Sequence, residues 1–194
     1  MTTSMSQLEK MLAGELYVAN DPELYAGHIR AQELLARFNV TTADAGDERR
    51  ALLTSLFAKF GEATILKPTL RCDYGFNISI GDRTFINFDC VLLDCNRITI
   101  GSEVQIAPGV HIYTATHPLD SKLRRSGLEY ALPVTIADGV WLGGGAIVCP
   151  GVTIGENTVV GAGSVVVRDL PSNVLAVGNP CRAIRRLAAG SSGD

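Results

Sequence analysis

An aliphatic residue returns every six positions through most of this chain, and few folds accept such a period. The series runs Ile80, Ile86, Leu92, then Ile100, Ile106, Ile112, and after a gap Ile136, Leu142, Val148, Ile154, Val160 and Val166. Two places before each stands a residue that is almost always small or β-branched: Ile78, Thr84, Cys90, Ile98, Val104, Val110, Val134, Val140, Ala146, Val152, Thr158 and Ser164. Six is neither the helical period nor strand alternation, so the pattern is a repeat. One hexad makes a short strand and a turn, and three make a triangular coil. The aliphatic points inward and stacks on its copy one coil away, at about 4.8 Å. Glycine often follows it, as at Gly81, Gly101, Gly143, Gly155 and Gly161. We expect these glycines to supply a corner conformation that a Cβ opposes. The fold predicted is a parallel β-helix.

Composition removes several classes. No run approaches the roughly 20 apolar residues needed to cross a bilayer. The start, MTTSMSQLEKMLAGELY, lacks the pattern of a secretory signal, so a soluble, cytoplasmic protein is expected. The five cysteines (Cys72, Cys90, Cys95, Cys149, Cys181) are scattered and form no CxxC, which supports neither a disulfide framework nor a zinc site. Net charge is −3 and there is no basic stripe, so nucleic acid is not an expected partner.

The chain divides into a helical cap over 1–61, a β-helix over 62–187, and a tail over 188–194 expected to be disordered. In the cap, Ser6 to Leu16 reads as a short helix. Asn20 or Asp21 can cap a second, with Pro22 at its first position. Asp47 can open a third, carrying Leu52, Leu53, Leu56, Phe57 and Phe60 and ending at Gly61. Residues 62–77 lead into the coil. Residues 114–132, TATHPLDSKLRRSGLEYAL, break the hexad and read as an excursion. Two extra residues between Leu92 and Ile100 predict a corner bulge. After Pro171 a last strand, a GNP turn and a short basic helix are expected.

The stretches RCDYGFNISIG, INFDCVLLD, IAPGVHIYTATHP, VWLGGGAIVCPGVTIG, VVGAGSVVVRDLP and GNPCRAIR, with MLAGELY and DPEL in the cap, resemble the maltose and galactoside O-acetyltransferases. The resemblance covers roughly residues 5–187, and THP in an excursion with NPxR near the end is its most specific part. It implies a left-handed coil, a homotrimer with sites between subunits, acetyl-CoA as co-substrate and a small sugar acceptor. The maltose type is the nearer match.

Acetyl transfer to a hydroxyl needs a base, a donor to the developing oxyanion, and orientation of both substrates. Histidine suits the base role near neutral pH. Of the three histidines, His117 occupies the family's THP motif and is the expected base. His111 lies one hexad earlier and should face outward. γ-Class carbonic anhydrases place three metal-binding histidines on such a coil, but His28 falls in the cap, so no metal is expected. Asn87 matches an asparagine that borders the family's active site, where it meets the acceptor and assists at the thioester; a corner Asn tolerating positive φ is the plainer alternative. Asp73 and Asp94 are candidate hydroxyl ligands. Phe85, Cys95 and Glu129 stand where the galactoside enzymes contact sugar, with different residue types, and Tyr17 and Asp21 of the cap are candidates to close the pocket.

For coenzyme A the matching positions are Trp141, Gly144, Ala162, Val167, Arg168, Arg182 and Arg185. Gly144 and Ala162 would let pantetheine amides reach the backbone. Trp141 would offer an apolar wall, and the arginines would bind phosphates. No residue looks like an acyl-carrying nucleophile, so direct transfer is expected. A galactoside, amine or xenobiotic acceptor is the alternative within the same chemistry, and a metalloenzyme of the carbonic anhydrase kind and a non-catalytic β-helix scaffold are the rival readings outside it.

Overall fold

The computed structural model describes residues 5–188. A stack of triangular coils forms its body. Strands on the first face are Lys59–Phe60, Ile78–Ile80, Ile98–Ile100, Val134–Ile136 and Thr153–Ile154. The second face carries Ile65–Leu66, Phe85–Ile86, Gln105–Ile106, Trp141–Leu142, Val159–Val160 and Val174–Val177. The third carries Leu70–Cys72, Cys90–Leu93, His111–Tyr113, Ile147–Val148 and Val165–Val166. All these neighbours pair in parallel, each with the strand of the next coil.

Every residue of the repeating aliphatic series is at most 2% exposed, and the positions two places earlier are equally dry. They form one core cluster along the axis, and this apolar burial is the main stabilising term. Where a hydroxyl replaces the aliphatic, the backbone satisfies it. Thr84 Oγ1 donates to Gly101 O at 2.8 Å, and Thr158 Oγ1 to Pro171 O at 2.6 Å.

The glycines after the aliphatic are needed for a different reason from the one expected. Gly81 and Gly101 do not adopt positive φ. A Cβ on Gly81 would sit 2.5 Å from the Gly101 carbonyl carbon, and one on Gly101 would sit 2.2 Å from Asp138 Oδ1. Close stacking of successive coils excludes the side chain. Left-handed φ falls elsewhere on the corners, at other glycines such as Gly109 and Gly139 and at non-glycine residues such as Arg83, Glu103, Asn157 and Asn173.

The cap closes one end. Helix α1 (Gln7–Ala13) starts in a capping box made by Ser6 and Glu9, and stops at left-handed Gly14, short of the expected Leu16. Helix α2 (Pro22–Asn39) is capped by Asp21, with Pro22 in its first turn. Helix α3 (Gly46–Leu56) begins one residue before Asp47. Leu35 and Phe38 of α2 and Leu52, Leu53 and Leu56 of α3 join the coil's core cluster. Gln32 Nε2 and Asn39 Nδ2 donate to the carbonyls of Cys72 and Leu70, and Asn39 Oδ1 accepts from Leu70 N. These side chains satisfy the open edge of the lowest strand on the third face.

Two boundaries depart from the sequence expectation. The coil begins at Lys59–Phe60, which pairs with Ser79–Ile80, so residues 62–77 are already coil and not a lead-in. The segment Arg182–Arg186 is not a helix. It is a strand that turns back antiparallel on Val174–Val177 and covers the last strand of the second face. Its backbone groups find partners in that pairing, which overrides helix propensity. The expected disorder of the tail falls almost wholly on residues 189–194, outside the described residues.

The excursion leaves and rejoins the coil at one corner. Thr114 N donates to Leu93 O, Leu132 N to Thr114 O, and Val134 N to Arg97 O. Its strands Ala115–Thr116 and Leu128–Ala131 pair antiparallel, with α4 (Ser121–Arg125) between them. Leu128–Ala131 also pairs with the cap strand Tyr17–Val18, placing Glu129 opposite Tyr17. At the corner bulge, buried Asn96 donates through Nδ2 to Met11 O and Ala131 O, both at 2.9 Å. Cap, coil and excursion therefore meet at one side chain.

Candidate active site

His117 follows the strand Ala115–Thr116 at the start of the excursion, its side chain 57% exposed. The next carbonyls are clamped: Arg124 Nη1 donates to Pro118 O at 2.9 Å and Leu119 O at 3.0 Å. Asp120 caps α4 by accepting from Leu123 N. His117 Nε2 stands 3.9 Å from Glu129 Oε2, and Tyr17 Oη donates to Glu129 Oε1 at 2.5 Å. Cys95 Sγ donates to Asp73 Oδ2 at 3.2 Å. His28 Nδ1 donates to the Asp73 carbonyl at 3.1 Å. Burial pushes the Tyr17 hydroxyl and the Cys95 thiol well above their usual ranges, with nearby acidic groups adding to the effect on both, so both stay protonated donors. Asp73 faces a pocket of 250 Å³ lined with His28, Gln32, Arg71, Val91 and Leu93. A larger groove of 340 Å³ between α1 and the first face, lined by Leu8, Leu12, Phe76 and Arg97, holds none of these groups.

Asp94 is used differently from the sequence expectation, and Asp21 serves in one of the two roles expected of it. Asp94 is fully buried, and its oxygens accept from the backbone N–H groups of Asp73, Tyr74 and Asn77. It builds the corner and has no face toward a ligand. Burial, with the charge of Asp73 adding and three amide donors opposing, pushes its carboxyl up to about 7. Asp21 spends its carboxylate on Glu23 N as the cap of α2.

Asn87 lies at the corner between the second and third faces. Its Oδ1 accepts from Phe88 N at 2.9 Å, which turns the Nδ2 group outward with no partner among the described residues. A fixed amide with a free N–H is the donor a developing oxyanion requires. Phe85 lies two residues before it on the strand Phe85–Ile86, with the Lys67 ammonium 5.2 Å from its ring and 4.6 Å from that of Phe88. Above Asn87 the same corner carries Ala107, then Gly143–Gly144, then Gly161–Ala162, linked by hydrogen bonds from each coil to the next. Trp141, 52% exposed, projects from the second face beside this column, and Arg182 and Arg185 lie on the terminal strand flanking that face. Val167 and Arg168 lie elsewhere, on the corner from which the excursion leaves.

The expected site residues thus form two columns. One runs along the second face and its corner, with Phe85, Asn87, Trp141, Gly144, Ala162, Arg182 and Arg185. The other follows the excursion corner, with Tyr17, Asp73, Cys95, His117, Glu129, Val167 and Arg168. The third face separates them, roughly 13 Å across its four-residue strand at about 3.3 Å per residue. Sequence reasoning did not single out Asn96, which holds the excursion, or Arg124 as a clamp on the His117 loop. No periodicity marks either residue. The five cysteines are unpaired, and no group of three or more His, Cys, Asp or Glu is arranged to hold a metal among the described residues. Nor is any described helix long and apolar enough to cross a membrane.

Residues 10–61 match the maltose acetyltransferase hexapeptide capping motif, and residues 133–168 match the six-repeat bacterial transferase hexapeptide. A galactoside O-acetyltransferase of Escherichia coli K12 is 38% identical over 95% of this chain and 91% of its own length. The crystal structure of a maltose O-acetyltransferase from Clostridium difficile 630 superposes with a TM-score of 0.95, at 48% identity, over 96% of this chain and all of that one. A hexapeptide-repeat acetyltransferase from Vibrio cholerae, solved with acetyl-CoA, gives 0.89 at 41% identity over 95% of this chain and all of its own. With both halves of its architecture matched, the chain belongs to the maltose and galactoside O-acetyltransferase family of hexapeptide-repeat acyltransferases.

Proposed function

We propose that this protein transfers the acetyl group of acetyl-CoA to a hydroxyl of a small sugar of the maltose or glucose type. The observation that carries the reading is His117, exposed on a clamped loop beside the carboxylate of Glu129, which can accept hydrogen bonds from sugar hydroxyls. His117 Nε2 takes the hydroxyl proton as the oxygen attacks the thioester carbon. Asn87 Nδ2 donates to the oxyanion. The C–S bond then breaks, and the leaving sulfur receives the proton from His117. Transfer is direct, without an acyl-enzyme. Asp73, Phe85, Cys95 and Glu129 border the acceptor, with buried Tyr17 behind Glu129. Trp141, Gly144, Ala162, Val167, Arg168, Arg182 and Arg185 receive coenzyme A. The free thiols suit a reducing compartment, so the proposed place of action is the cytoplasm.

The site is completed between copies in a homotrimer. Two observations support this. Each column holds part of the acceptor set and part of the coenzyme set, so one copy's excursion corner facing a neighbour's second-face corner would unite them. The outward residues of the third face are largely apolar, including Val91, Leu93, Tyr113, Ile147 and Val165, whereas the first face presents Lys59, Ser79, Thr99, Thr135 and Thr153. An apolar face of this kind suits burial against a partner.

The deciding measurement is thiol release from acetyl-CoA with a panel of sugars, on the wild type and on His117→Ala. Sugar-dependent release that falls by about 100-fold or more in the variant, with coenzyme A binding retained, is the expected result. Full activity in His117→Ala would end the assignment of the base. Release only with amine acceptors would move the protein to a different acceptor class within the same chemistry.

A further inference from the structure

The cap does more than close the coil. Its strand Tyr17–Val18 pairs with the returning strand of the excursion, and that register sets the Tyr17 hydroxyl against Glu129. Tyr17 is 0% exposed, so its hydroxyl is committed to this contact. With Oε1 held, the other carboxylate oxygen points toward His117 at 3.9 Å from Nε2. This is the only carboxylate within 4 Å of the His117 ring among the described residues. Glu129 is also well sheltered, its side chain 18% exposed.

We infer that Glu129 is the electrostatic and positioning partner of His117, and that Tyr17 holds it in place, which makes the cap part of the catalytic apparatus. The inference rests on His117 being the base proposed above. At 3.9 Å the pair is too far apart for a direct hydrogen bond, but close enough for strong charge attraction once water is displaced. When His117 takes the acceptor's proton it becomes an imidazolium, and an adjacent carboxylate favours that charged form. Glu129 receives no proton itself: the proton moves from the hydroxyl oxygen to Nε2 and then to the departing sulfur.

The other groups facing this pair do not replace it. The Cys95 thiol and the Tyr74 hydroxyl are kept protonated by burial. Asp73 accepts from Cys95. Arg124 of α4 spends Nη1 on the two carbonyls after His117, so its guanidinium serves the loop backbone.

The test is steady-state kinetics across about pH 5.5 to 9 on the wild type, Glu129→Gln and Tyr17→Phe, with thermal melts to verify folding. Gln keeps the side-chain shape and an oxygen for Tyr17 but removes the charge. The expected result for Glu129→Gln is a kcat about tenfold lower or more, with the acetyl-CoA KM within about twofold, and an acid limb of the kcat profile moved to lower pH. Tyr17→Phe should move both in the same direction by less. An unchanged kcat and pH profile, or a loss confined to the acceptor KM, would overturn the inference and leave Glu129 as a sugar contact. A wild type that releases no thiol with any acceptor would instead sink the transferase reading beneath it. A wild type that is active, beside a Gln variant with an unaltered profile, sinks this inference alone.

Discussion

Asp94 shows how a residue with the chemistry of a ligand can be wholly absorbed by the fold. Its two oxygens gather three backbone amides where the coil turns below the excursion, and Asn77 Nδ2 donates to its carbonyl at 2.8 Å. The folded protein holds the Asp94 proton up to about 7, against an ordinary value of 3.8. The folded state therefore binds this proton more tightly than the unfolded chain does. The resulting stability is complete below about pH 4 and is lost as pH rises through about 7. We expect the melting temperature to fall as pH is raised from 5 to 8, with a component that Asp94 carries. Asp94→Asn should melt lower at pH 5, because its amide nitrogen confronts a backbone donor at about 1–3 kcal/mol. It should also show a shallower slope with pH, which calorimetry across the range would measure. An unaltered slope would place the titration elsewhere. From sequence, Asp94 and Asp73 looked alike. What separates them is that one is surrounded by amides and the other lines a pocket.

Among the elements, the excursion depends on very few contacts. Asn96 ties its return strand to the end of α1, and its own N–H donates to Thr114 Oγ1 at 2.8 Å. Asn96→Ala would leave Ala131 O without that donor in a buried place, at about 1–3 kcal/mol. The expected outcome is a lower melting temperature together with faster hydrogen exchange across 114–132 than across the coil strands. Equal protection in both would mean that the strand pairing alone holds the excursion. The elements also show what could be read from sequence and what could not. Repeat positions were legible because a sixfold period leaves the inward side chain no other place to go. The start of the coil was missed because Leu53, Leu56, Phe57 and Phe60 continue a helical spacing past the point where Lys59–Phe60 begins to pair. Arg182–Arg186 looked helical because its partner strand is fixed only by the turn at Gly178–Cys181. The corner glycines are legible as a pattern but their cause is not: what excludes their Cβ is the next coil, up to 37 residues away in the chain. His117 stood out by motif, whereas its closeness to Glu129 required the register of an antiparallel hairpin.

Across the whole molecule, the three faces carry different surfaces, and the proposed trimer rests on that difference. Sedimentation of the wild type should give about three times the chain mass. Ile147 lies between His111 and Val165 on the apolar third face. Ile147→Arg should shift the protein toward monomer and reduce activity by about tenfold or more, since an unpaired charge in a packed interface is costly. A fully active monomer, in either protein, would contradict a site shared between copies. The divided columns themselves were out of reach of sequence reasoning, because a hexad reveals which side chain points inward but not which corner faces a neighbour.

The excursion departs after Leu93 has been paired and returns before Val134 is, so the strand ladder of the coil passes beneath it without a break. Nothing in the ladder registers how many residues hang from that corner. A segment spliced in there can lengthen, shorten or change its chemistry while the core remains the same, so this architecture can trade one acceptor for another without first having to learn how to fold again.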